Sequence, residues 1–114
     1  MEIKTNEYHV WHSEQDGVLY FEGSFRLGNS DAYGEIFNLM VKALESSSSK
    51  LVIDLKSLQF LNSSGINLLA KFVITVRKTE NGRLTIKGNN QIPWQTKSLA
   101  NLKKLYPALI LDLD

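Results

Sequence analysis

The 114-residue sequence contains no cysteine, only two prolines and no long apolar run. Without cysteine there is no disulfide framework, no thiol catalysis, no thiolate zinc site and no Cys-ligated iron–sulfur cluster. The apolar runs fall far short of the roughly 18 residues that a spanning helix needs, and Met1-Glu-Ile-Lys-Thr-Asn6 lacks a secretory signal pattern. Charge of one sign is missing as well. Thirteen basic residues against twelve acidic ones leave a formal net charge of +1, which removes the basic field that nucleic-acid binding uses. These absences predict a cytoplasmic protein with neither a membrane nor a nucleic acid as partner. What is present is ordinary globular usage, 43% apolar and 22% charged. A chain of this length buries roughly two-thirds of its unfolded surface, so residues 1–114 are expected to fold as one domain without disulfides or metal.

Residues Tyr8 to His12 and Val18 to Glu22 are rich in aromatic and β-branched side chains and flank Asp16-Gly17, a hairpin signal. Gly23 and Gly28 bracket an irregular stretch, and Ser30-Asp31 can cap a helix carrying Tyr33, Ile36, Phe37, Met40, Val41 and Leu44 on one stripe. The tract Ser46 to Ser49 ends it, because serine hydroxyls compete for the backbone; a solvated connector is the simplest reading of these four serines. Leu51 to Leu55 is apolar on both alternations apart from Asp54, the pattern of a strand covered on both faces. After Phe60-Leu61, the tetrad Asn62-Ser63-Ser64-Gly65 opens a second helix with Ile66, Leu69, Ala70, Phe72, Val73 and Val76. Asn81-Gly82 turns the chain into a strand at Leu84 to Lys87. Pro93 begins a third helix with Leu99, Leu102 and Leu105, and Tyr106-Pro107 stops it. Leu109 to Leu113 is the last strand. The order β-β-α-β-α-β-α-β predicts an α/β fold, a mixed and mostly parallel sheet of about five strands with helices packed on it.

Catalytic equipment is sparse. His9 and His12 stand three apart on one predicted strand and therefore point to opposite faces, which argues against a shared metal. No HExxH, P-loop or GxGxxG motif occurs, and Asp54 is read as a carboxylate that points into a polar edge or caps a neighbouring backbone group rather than one that serves a substrate. Arg77-Lys78 and Lys103-Lys104 are solvated helix faces near C-termini. No catalytic residue, no metal and no cofactor is expected. The concentrated feature is Phe60 to Asn67, where two hydroxyls open a helix directly after a buried strand, at the sheet edge where open α/β folds place ligands. Asn62 and Ser63 can simply cap that helix. A phosphoryl group on Ser63 would also be tolerated by the unpaired N–H groups there. The match of Asn62-Ser63-Ser64 to an N-glycosylation pattern is incidental without a secretory signal.

The stretch Leu51-Val-Ile-Asp-Leu-Lys-Ser-Leu-Gln-Phe-Leu-Asn-Ser-Ser-Gly-Ile66 resembles the signature of STAS domains, the family of bacterial anti-sigma-factor antagonists. In that pattern a central strand leads through an apolar pair to D-S-[ST]-G-[LI] at the start of the second helix. The resemblance implies a STAS-like domain switched by serine phosphorylation rather than an enzyme. The partners it implies are a histidine-kinase-like serine kinase that doubles as the anti-sigma factor, and a metal-dependent, PP2C-type serine phosphatase. Carried over by position, Ser63 matches the phosphoacceptor, with Ser64 the second-ranked hydroxyl, and Gly65 the small residue that admits a partner backbone. Phe60, Leu61, Asn62, Ser64, Ile66 and Asn67 would line the partner surface, with Ser24 and Arg26 from the hairpin exit. Two departures stand out. Asn62 replaces the pattern's acid, and Gly23-Ser-Phe-Arg26 replaces a G-x-[LF]-D exit. The sequence also stops at the last strand where many members add a final helix, which would leave apolar surface for a homodimer. The alternative is a STAS scaffold that docks constitutively and is never phosphorylated.

Overall fold

The computed structural model describes residues 1–27 and 30–114, and of residues 30–32 only the backbone. The elements run β1 (Glu2–Lys4), β2 (Tyr8–His12), β3 (Val18–Phe25), α1 (Ser30–Ser46), β4 (Lys50–Leu61), α2 (Ser63–Lys78), β5 (Arg83–Gly88), α3 (Pro93–Leu105) and β6 (Ile110–Leu113). The expected bend at Gly28 and side-chain cap from Ser30 and Asp31 lie outside the described residues. The hairpin forms where expected: Gly17 takes a φ of 74°, and Asp16 accepts from the Val18 amide at 2.9 Å and the Tyr20 hydroxyl at 2.6 Å. The Tyr20 bond, followed by the Val18 bond, holds the Asp16 carboxyl below its ordinary range. Helix α1 ends in the serine tract, with Ser48 and Ser49 both at positive φ.

The sheet has six strands rather than five, in the order β1-β2-β3-β4-β5-β6. β1 and β2 run antiparallel to their neighbours, and β3 to β6 are parallel. The additional strand is β1, three residues long, whose Ile3 faces Val10 across the pair. Three residues carry too little alternation to announce a strand. Sequential order with right-handed crossovers puts every helix on the same face. The expectation that β4 is covered on both faces is therefore corrected. Leu51, Ile53, Leu55, Leu58 and Leu61 are buried under the helices, while Val52, Asp54 and Lys56 on the other alternation are half-buried. Asp54 accepts from the Lys56 amide at 2.9 Å, the second of the two structural roles its sequence position allows.

That bond lies where β4 gains a residue over β3, between the pairs Tyr20↔Asp54 and Glu22↔Ser57. Gln95, the one buried polar residue of α3, supports this irregular stretch. Its Nε2 donates to Leu55 O at 2.7 Å and Leu58 O at 3.1 Å, and its Oε1 accepts from the Asn89 amide at 2.7 Å. The core between sheet and helices is continuous, with Phe25, Ile36, Met40, Phe72 and Leu99 at 1% exposure or less. β4 extends to Leu61 and delivers the chain to the carboxyl edge of the parallel strands.

Candidate functional site at the start of helix α2

Asn62 follows β4 in extended backbone, with φ −77° and ψ 175°, and its side chain caps α2. Its Oδ1 accepts from the Gly65 amide at 3.0 Å and from the Tyr33 hydroxyl at 2.6 Å. Its Nδ2 donates to Leu27 O at 2.9 Å. The backbone joins in: Asn62 N donates to Phe25 O at 3.2 Å, and Ile66 N donates to Asn62 O at 3.0 Å. Tyr33 is buried, and burial raises its hydroxyl pKa, the nearby Leu27 backbone acting the other way. The phenol therefore stays a proton donor at neutral pH.

Because Asn62 does the capping, Ser63 and Ser64 stand in the first helical turn with both residues exposed. Neither hydroxyl takes part in a hydrogen bond among the described residues. Asn67 is exposed one turn further on, and Ile66 beside it is half-buried against the core. Phe60 is 39% exposed, and the Arg26 guanidinium lies 4.8 Å from its ring centroid, a cation–π contact. Ser24 is half-buried and paired in register with Phe60. Leu61 and Gly65 are buried. A Cβ on Gly65 would sit 2.2 Å from Leu61 Cδ1 and 3.1 Å from the Tyr33 hydroxyl, so the close approach at this glycine is internal to the domain. The outward surface is thus formed by Arg26, Phe60, Ser63, Ser64 and Asn67.

Two contributors were not legible in the sequence. By its spacing Tyr33 belongs to the apolar stripe of α1, and no sequence signal marks the carbonyl of Leu27. Lys71 continues the i, i+4 row of Ser63 and Asn67 and lies 4.4 Å over the Phe37 ring. Beside the site a groove of about 400 Å³ is lined by Thr5, Asn6, Glu7, Tyr8, Arg26 and Leu27. The histidines are elsewhere, on opposite faces as expected. His9 bonds Glu2 at 2.5 Å, with Glu22 at 3.8 Å, and His12 Nε2 meets Gly17 O at 3.2 Å. Among the described residues no His, Asp and Glu cluster has metal-holding geometry, and no helix is long and apolar enough to cross a membrane.

The arrangement presents two exposed hydroxyls beside an exposed aromatic ring, and no side chain that could act as a base is hydrogen-bonded to Ser63 among the described residues. A family model of the STAS domain matches residues 10–113. This chain belongs to the STAS domain family. No curated protein is similar enough in sequence to count as a relative. Among solved structures, this STAS domain is similar to a chain in the crystal structure of diguanylate cyclase SiaD in complex with its activator SiaC from Pseudomonas aeruginosa. The TM-score is 0.74 at 14% identity, covering 100% of this chain and 99% of that one. It is also similar to SiaC of Pseudomonas aeruginosa, with TM-score 0.67, 15% identity and coverage of 99% and 93%. Apo-SiaC from the same organism gives 0.69 at 14% identity, covering 100% and 98%. At such identities the likeness is one of fold.

Proposed function

We propose that this STAS domain is a regulatory protein-binding module that docks partners at the start of α2 and is switched by phosphorylation of Ser63. The observation that carries the reading is the division of labour at the helix start. Asn62 alone satisfies the cap, which leaves the Ser63 hydroxyl exposed and uncommitted. A kinase would transfer the γ-phosphoryl group of ATP to Ser63 Oγ, releasing ADP and passing the hydroxyl proton to the kinase's own base. The product adds about −1.5 to −2 charges beside Phe60 and Asn67 without touching the core. Such a charge in a docked surface disfavours a partner that fitted the neutral hydroxyl. The partner classes are those of the family pattern: a histidine-kinase-like serine kinase acting as anti-sigma factor, and a PP2C-type phosphatase that restores the hydroxyl. On this reading the domain performs no chemistry of its own.

A second reading has its own support. The fold is similar to that of a structure titled as a cyclase with its activator, so the partner of the unmodified surface can be a nucleotide-signalling enzyme rather than an anti-sigma factor. The test of the switch is direct. Incubation with ATP and the kinase encoded nearest to this gene should add one phosphate, mapped by mass spectrometry to Ser63 and abolished in Ser63→Ala. Modification confined to Ser46 to Ser49 would overturn the switch.

A further inference from the structure

Asn62 does more than cap a helix. Its oxygen serves two donors, the Gly65 amide and the Tyr33 hydroxyl, while its nitrogen serves the carbonyl of Leu27. The orientation of the amide follows from its neighbours: a backbone N–H only donates and a backbone carbonyl only accepts. One half-buried side chain therefore joins three parts of the molecule, namely the start of α2, the first turns of α1 through Tyr33, and the segment leaving β3 at Leu27. The residue before Leu27 is Arg26, whose guanidinium rests on Phe60.

We infer that Asn62 is a positioning residue that fixes the Arg26–Leu27 segment in register with Ser63, so that a partner meets both as one rigid surface, and that the task requires a neutral amide. An aspartate at this position would keep the capping oxygen and gain a favourable interaction with the helix N-terminus. Its second oxygen, however, would face Leu27 O at about the 2.9 Å now spanned by a hydrogen bond, two acceptors with no proton between them. The replacement of the pattern's acid by Asn62 is then a change in how the surface is held together. The consequence for partners rests on Ser63 marking the docking surface; the fixing of Leu27 does not.

The test uses unmodified protein without a partner, so it can fail while Ser63 is still phosphorylated, and the reverse. Backbone amide NMR order parameters at Leu27 are compared in wild type, Asn62→Asp and Asn62→Ser, each against wild type at the same pH. At about pH 7 both variants should fall from a rigid value of about 0.85 to below about 0.6, because the hydrogen bond that anchors the Leu27 carbonyl is lost. For Asn62→Asp the difference should close below about pH 4, because a protonated carboxyl regains an O–H that donates to Leu27 O. Asn62→Ser keeps a capping oxygen, has no group able to reach Leu27, and should stay mobile there throughout. A wild-type order parameter in Asn62→Ser, or a difference in Asn62→Asp that does not respond to pH, overturns the inference. So does an Asn62→Asp protein unfolded across the whole range, since the protonated acid has to restore the contact.

Discussion

Gly65 and Asn62 divide the work at the candidate site between space and polarity. The family pattern assigns the glycine to partner approach, yet its missing side chain is what lets Leu61 and the Tyr33 hydroxyl close over the helix start. Gly65→Ala should therefore destabilise the domain by about 1–3 kcal/mol, the usual cost of overpacking a filled interior. Urea denaturation monitored by tryptophan fluorescence checks this, and a midpoint equal to that of wild type would show that Leu61 has room to move. Arg26 illustrates the limits of motif reading at this scale. As a departure from the pattern's acid it marked only a lost charge, whereas in the fold it covers the exposed ring of Phe60.

Among the elements, β4 and α3 depend on each other more than their sequences disclose. β4 gains a residue over β3 between Asp54 and Ser57, which disturbs the regular ladder, and the carbonyls of Leu55 and Leu58 accept from Gln95. Trp94 adds a second donor to Leu58 O at 3.1 Å. Gln95→Met preserves volume and removes all three polar contacts of that side chain. The change leaves Leu55 O and the Asn89 amide without that partner in a buried setting, and a loss of about 2–4 kcal/mol is expected. Thermal unfolding followed by circular dichroism measures it, and a shift within error of zero would mean that water replaces the amide. The punctuation of the other elements is local and was legible. Asn81 takes the positive φ of 62° ahead of β5, the serine tract ends α1, and Tyr106-Pro107 ends α3.

For the molecule as a whole, the sequential order of β3 to β6 decides that the sheet has a helical face and an open one. The open face carries His9, Trp11 and Tyr20 in a stack, with ring centroids 4.2 and 5.0 Å apart, and Ile110 at 58% exposure. The Ser63 surface lies at the carboxyl edge, where strands end and α2 begins. The near-neutral charge gives the proposed switch a readout at this scale. One phosphoryl group would carry a protein of net charge +1 to slightly negative, and isoelectric focusing should move the band from about 8.0 to the acid side of neutrality. The same treatment of Ser63→Ala should leave the band in place; a shift that persists would assign the charge to another residue.

By itself the sequence determined whatever is set by neighbours along the chain. The Asp16-Gly17 hairpin, the helix stripes, the helix stops and the Asn-Ser-Ser-Gly start all follow from backbone sterics, capping and periodicity within a few residues. The family pattern rested on the same local run. Only the tertiary structure decided that β1 joins the sheet, that β4 is covered on one face, and that Asn62 holds Leu27 and Tyr33, 35 and 29 residues away. These features depend on carbonyls and hydroxyls brought together by strand order, and a backbone carbonyl has no letter of its own in a sequence. The exposed hydroxyl of Ser63 belongs to both levels: its place at the helix start was legible, and its freedom from capping was decided by the amide next to it.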